Sequence, residues 1–183
     1  YLIYTSLLKK YNIINMKAEY NPFISGEIEN ITKTKEKNDR LEEYFKSECD
    51  KWNKITEPIY RTLMVDLTNP ANMKTVINSQ ADTLTIKQNI LEQINLYLNR
   101  RIKESKNLKM IRQEKLIFYA VGYSIKTNSS EKTTLMDGNL CEYQRTIELI
   151  DSHVDFLRNT NKNLETFQYS IKNLIDLANY LGK

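Results

Sequence analysis

The chain has 183 residues, 40% of them hydrophobic and 27% charged, with a formal net charge of +4. That length holds one domain, at most with a small appendage, and the composition is that of a chain that buries a core rather than one that stays disordered. Only 4 Gly and 3 Pro occur, too few for a turn-dense sandwich or barrel or for a glycine-looped nucleotide fold, which leaves an all-helical architecture. Cys49 and Cys141 stand far apart without CxxC spacing, which argues against a disulfide framework or zinc cluster and fits a reducing, intracellular setting. Lys, Asn and Ile each occur 20 times against 7 Arg, the residues of AT-rich codons, a property of the source genome rather than of the fold.

Residues 1–15, YLIYTSLLKKYNIIN, precede Met16 and have neither a basic stretch ahead of an apolar run nor a small-residue cleavage site. Two readings stand side by side: an upstream, non-native segment with the start at Met16, or an amphipathic N-terminal helix. No apolar run reaches the ~18 residues of a membrane span, so a membrane is not expected as a partner.

Residues 16–81 read as an N-terminal region of shorter helices. After the turn-like YNPFISGE, a charged segment from Ile28 to Lys54 carries Leu41, Tyr44, Phe45, Cys49 and Trp52 on one helical face. Pro58 interrupts or starts a helix, a second short helix is expected at Ile59–Leu67, and Asn69–Pro70 marks a turn before a third.

Residues 82–183 read as a hairpin of two long helices: a basic helix over 82–120, a loop over 121–139 and a C-terminal helix over 140–181. The basic helix starts at Asp82 as N-cap, and Leu84, Leu91, Ile94, Leu98 and Ile102 share a face that is the expected core stripe, with Ile90 and Tyr97 on its shoulder. Its second half repeats Arg100, Lys103, Lys106, Lys109, Arg112 and Lys115 every third residue, so the cations wind about 60° per step around the rod. Gly122 closes it, and the connection leaves room for a short extended pair at Tyr123–Ile125 and Thr133–Leu135.

In the C-terminal helix, Tyr143, Ile147, Ile150, Val154, Leu157, Asn161, Leu164, Gln168, Ile171, Ile175 and Ala178 alternate steps of four and three, a coiled-coil pattern. Asn161 and Gln168 are its polar exceptions, suited to fixing register. Two long helices make a thin core for their length, so a homo-oligomer is expected, with Ile147 to Ile175 of this series as its seam.

Catalytic constellations are absent. One histidine excludes His/Cys metal clusters and HExxH sites, and there is no Walker-type phosphate loop and no G-x-S-x-G elbow. Glu148, Asp151 and Asp155 near His153 read as a solvated face, and Cys49 and Cys141 as packing residues. Neither an enzyme, a metal nor a cofactor is expected. The positive signal is charge asymmetry: residues 82–119 hold 8 basic and 4 acidic side chains, whereas 26–57 and 137–183 are each slightly acidic. The basic track runs into Phe118, Tyr119 and Tyr123, with Lys126 beyond, and cations followed by aromatics suit a single strand of nucleic acid. Solvated helices carry many lysines too, and Tyr119 could equally be core.

The run RQEKLIFYAVG at 112–122, then EKTTLMDG, then SIKNLIDLANYLGK at the C-terminus resemble the UvsY-type recombination mediator proteins of tailed phages over residues 85–183. The resemblance implies an all-helical, ring-like oligomer in the cytoplasm of an infected cell that binds single-stranded DNA, contacts the single-strand DNA-binding protein and helps load a RecA-like recombinase. It places Lys115 on a basic position of the family's DNA-binding region, Arg112 on a second contact and Tyr119 on the aromatic position. Residues 16–81 match nothing in that family, and the connection from Tyr123 to Gly138 is shorter. The expected DNA-binding set is Arg100, Arg101, Lys103, Lys106, Lys109, Arg112, Lys115, Tyr119 and Lys126. The alternative is a coiled-coil structural or adaptor protein, a virion or scaffold component, that does not bind DNA.

Overall fold

The computed structural model describes residues 22–64, 69–122 and 128–181, which form three long helices and no strand. Helix α1 runs Pro22–Arg61 and ends in a short 3-10 turn, Thr62–Met64. Helix α2 runs Pro70–Ile117 and continues into a π-helical turn, Phe118–Gly122, and α3 runs Ser129–Leu181. The all-helical expectation is met, but the helices are longer than the sequence pattern alone suggests. Within the expected N-terminal region, Pro22–Arg61 is a single 40-residue helix with Pro58 inside its last turn, and residues 70–81 open α2. Of the short helix expected at Ile59–Leu67, Ile59–Arg61 finish α1, Thr62–Met64 form the 3-10 turn, and residues 65–67 lie outside the described residues. Helix α2 begins at Pro70, whose missing N–H belongs to the first turn, where no helical partner exists for it anyway.

The loop expected over 121–139 is largely helix as well. Asn128 caps α3: the Glu131 amide donates to Asn128 Oδ1 at 2.7 Å, and the Asn128 amide donates back to Glu131 Oε2 at 3.2 Å. This reciprocal box starts α3 at Ser129 and carries it through Gly138, so Thr133–Leu135 are helical, not extended. The other half of that expected pair, Tyr123–Ile125, lies outside the described residues, as do Lys126 and residues 1–21.

The chain divides into two units at Lys37–Asn38. In the first, the described residues are the opening turns of α1, where the Thr32 and Thr34 hydroxyls donate to the Ile28 and Asn30 carbonyls and Lys33 pairs with Glu29 at 2.7 Å. The second unit contains the rest of α1 with α2 and α3, so residues 38–64 pack with the long helices they precede.

Its main core takes Leu41, Phe45, Trp52 and Ile59 from α1, Val76, Ile90, Ile94 and Tyr97 from α2, and Ile150, Val154, Leu157, Leu164, Phe167 and Ile171 from α3. The coiled-coil series of α3 is therefore covered by helices of its own chain. Burying it needs no second copy, and the thin-core argument for an oligomer lapses because α1 supplies the third helix. The polar members of the series are used inside the chain too. Gln168 Oε1 accepts from Lys87 Nζ at 3.3 Å, and Asn161 donates to Glu165 at 3.1 Å while its own Oδ1 is buried without a partner among the described residues.

Polar contacts fix the helices laterally. Asn38, fully buried, donates to the Glu142 carbonyl at 2.7 Å and accepts from the Thr146 hydroxyl at 2.6 Å. Arg145 spans from α3 to Asp39 and Glu42 on α1 at 2.8 and 2.6 Å. The Trp52 indole donates to Gln93 at 3.3 Å, joining α1 to α2. A second, smaller core of Tyr119, Met136 and Leu140, with Leu108, Ile111 and Tyr143 against it, joins the end of α2 to the start of α3.

Candidate nucleic-acid interface

The cationic half of α2 sorts into two groups by what its side chains face. Core-facing positions in this stretch are Leu108, Ile111, Phe118 and Tyr119. Lys103, Lys106, Lys109 and Arg112 are exposed, and none of them makes an ion pair among the described residues. Steps of three residues rotate them through about 180° in all, a sweep centred opposite the buried face. The winding seen in the sequence thus covers the solvent half of the helix, at an axial spacing of about 4.5 Å per cation.

The remaining expected contacts are placed otherwise. Arg101 Nε is tied to Asp151 Oδ1 at 2.5 Å, an α2–α3 link, and Arg100 is half-buried. Lys115 is half-buried, and that burial lowers its pKa from the ordinary lysine value. Tyr119 is buried: its hydroxyl accepts from Asn139 at 3.0 Å and its carbonyl from Lys132 at 2.9 Å. Stacking a base on Tyr119 would require opening the second core, so the aromatic position implied by the family resemblance is structural here. The π-helical turn contributes, because a wider turn shifts the helix face by a residue and brings Phe118 and Tyr119 inward. Lys126 lies outside the described residues.

The acidic trio near His153 does not gather. Asp151 holds Arg101, Asp155 holds Arg158 at 3.1 Å, and Glu148 is exposed. His153 is buried in an aromatic cage, stacked on Phe45 at 4.2 Å and edge-on to Tyr97 at 4.9 Å. Its Nδ1 lies 3.8 Å from Cys49 Sγ, and its Nε2 has no partner among the described residues. Burial pushes its pKa down, partly offset by the Glu48 charge. Burial likewise pushes the Cys49 thiol up, reinforced by Asp50 and Glu48, so this cysteine is held as a thiol. Cys141, expected as a packing residue, is exposed. No helix among the described residues is long and apolar enough to cross a membrane.

One surface differs from the sequence expectation. The expected core stripe of α2 is largely outside: Leu84 is 61% exposed, Leu91 43% and Ile102 51%, with Ile77 at 54% extending the row. Only Ile94 of that stripe is buried, and Leu98 is partly so. Val76, Thr83 and the two shoulder residues Ile90 and Tyr97, one position earlier in each heptad, face the core instead. The signal for a second apolar row was the seven-residue spacing itself, which occurs twice in this helix.

No protein-family model, curated protein or solved structure matches the chain.

Proposed function

We propose that the protein is a non-enzymatic recombination mediator that binds single-stranded DNA as a homo-oligomer and helps a RecA-like recombinase replace single-strand DNA-binding protein, as the resemblance to UvsY-type proteins implies. The observation that carries the DNA-binding part is the run of four exposed cations, Lys103, Lys106, Lys109 and Arg112, without ion pairs among the described residues. Cations already neutralised by carboxylates, such as Arg101, release little on meeting phosphate, whereas unpaired ones displace condensed counterions from the strand. With Tyr119 buried, the binding is mainly electrostatic and sequence-tolerant.

The test is fluorescence anisotropy of a labelled single-stranded oligonucleotide at several salt concentrations, with a duplex control. Four phosphate contacts per protomer give a slope of log affinity against log salt of about −2.8, or roughly 50-fold weakening between 50 and 200 mM salt. The double substitution Lys106→Ala, Lys109→Ala halves that slope, while Arg101→Ala leaves it nearly unchanged. Absence of binding at low salt by folded protein would sink the proposal. The other reading, a coiled-coil structural or adaptor protein, draws on the exposed apolar row of α2 and expects association with no response to oligonucleotide.

A further inference from the structure

The apolar row of α2 has the spacing of a coiled-coil seam. Ile77, Leu84, Leu91 and Leu98 recur every seventh residue, and Ala81, Gln88, Asn95 and Ile102 fill the alternate positions. Every one of these except Leu98 is exposed. The row is about 37 Å long. It lies on the solvent side of α2, and along the same side it gives way to the cations from Lys103 onward.

A 3.5-residue repeat meshes with a helix carrying the same repeat. In an antiparallel arrangement with its twofold between Asn89 and Ile90, this row meshes with itself. Ile77 then meets Ile102 of the second copy, Ala81 meets Leu98, Leu84 meets Asn95, and Gln88 meets Leu91. Each of the three inner layers sets a leucine against alanine, asparagine or glutamine, and the two isoleucines close the ends. The polar members Gln88 and Asn95 lower the affinity of such a seam while restricting its register.

Charge selects this orientation. Residues 99–117 carry 7 basic and 2 acidic side chains, whereas residues 70–98 carry two of each. A parallel pair would hold the two basic stretches side by side at the ~8–10 Å interaxial distance of packed helices. An antiparallel pair sets residues 99–109 of each beside the sparsely charged residues 70–80 of its neighbour and carries residues 110–117 past that neighbour's helix start. The face measures about 37 by 10 Å, or roughly 400 Å² per copy, below the ~800 Å² of a standard stable interface. The pairing is therefore of the reversible, concentration-dependent class.

We infer that the exposed row Ile77–Leu84–Leu91–Ile102 is where a second copy of this chain docks, antiparallel and twofold-symmetric, with the cationic ends of α2 at opposite ends of the pair. This deepens the homo-oligomer part of the proposed function and relocates its seam from α3, which the chain covers itself, to α2.

The experiment is sedimentation velocity on the full chain, without DNA, from sub-micromolar to high micromolar concentration. A monomer–dimer equilibrium is expected. Because Leu84 and Leu91 are largely exposed, the double substitution Leu84→Glu, Leu91→Glu keeps the helicity of the dilute protein, with its thermal midpoint lowered by only a few degrees, while weakening the dimer at least about 30-fold. Orientation is read with a short bis-maleimide in a Cys49→Ser, Cys141→Ser background. Asn78→Cys mixed with Asn99→Cys is expected to cross-link, and either variant alone is not. A chain that stays monomeric throughout, a dimer indifferent to the leucine pair, or cross-linking of Asn78→Cys with itself would each overturn the inference. Oligonucleotide binding measured on dilute Leu84→Glu, Leu91→Glu protein separates this outcome from the DNA reading, since the four cations remain in place.

Discussion

The rotation of α2 about its own axis is open to a sharp mutational test, because Ile90 and Leu91 are neighbours of equal size with opposite environments. Ile90 is 0% exposed and Leu91 43% exposed. Replacing either by alanine removes the same number of carbons, so any difference in cost reports burial. For Ile90, lost transfer energy and an unrelaxed cavity together give about 2–5 kcal/mol, with a few tenths returned by the better helix propensity of alanine. For Leu91, a little over half of three methylene equivalents at ~0.8 kcal/mol each gives about 1.4 kcal/mol at most, and no cavity forms because solvent fills the space. The expected difference is about 2 kcal/mol, or roughly 4–8 °C in thermal midpoint for a chain of this size. Urea unfolding followed by far-UV circular dichroism on dilute protein measures it, at concentrations where α2 pairing is dissociated. If Leu91→Ala costs as much as Ile90→Ala there, α2 is turned by about 100° from the packing described and the apolar row is core.

Two further outcomes follow from particular side chains. Burial holds the folded-state pKa of His153 below its unfolded value near 6.5, so at neutral pH both states are uncharged and the group has no pH-linked effect. As pH falls below about 6.5 the unfolded chain takes up the proton first, and stability is lost at up to about 1.4 kcal/mol per unit until the folded-state pKa is reached. His153→Phe removes that slope, and urea midpoints between neutral and mildly acidic pH would show otherwise if the imidazole were solvated. Gly138 sits inside α3, where an added Cβ meets nothing within 4 Å. Gly138→Ala is therefore expected to raise stability by about 0.5–1 kcal/mol in the same assay, and a loss would mean that the helix is broken there.

Much of the fold was legible because helices leave strong marks in sequence. The scarcity of Gly and Pro, the single apolar face of Leu41, Phe45 and Trp52, and the 4-3 series from Tyr143 to Ala178 all reflect local spacing, and the described residues carry them as helix. Boundaries were less legible. The Asn128–Glu131 box and Pro70 mark the starts of α3 and α2, but short capping signals are easily outvoted by nearby polar residues or by a later candidate such as Asp82. For the candidate site, the period of three in the cations was readable. Which of them stay unpaired was not, since Arg101 is taken up by Asp151, fifty residues away.

What sequence could not decide is which way α2 faces. Val76, Thr83, Ile90 and Tyr97 form one seven-residue series, and Ile77, Leu84, Leu91 and Leu98 form another one position later. Both have the coiled-coil period, and the second is the more hydrophobic. The first is buried because of what lies across from it. Gln93 reaches Trp52, Tyr97 reaches Tyr44 at 3.4 Å and closes on His153, and Lys87 reaches Glu165 and Gln168 at 3.3 Å. Thr83 can sit fully buried because its hydroxyl donates to the Ser79 carbonyl at 2.6 Å, so its polar atom is satisfied within the helix. Sequence periodicity fixes that a helix has an apolar stripe, because 3.6 residues per turn is a local property. Where two stripes compete, the choice belongs to the tertiary structure, because shape and polar pairing across the interface outweigh the summed hydrophobicity of either row.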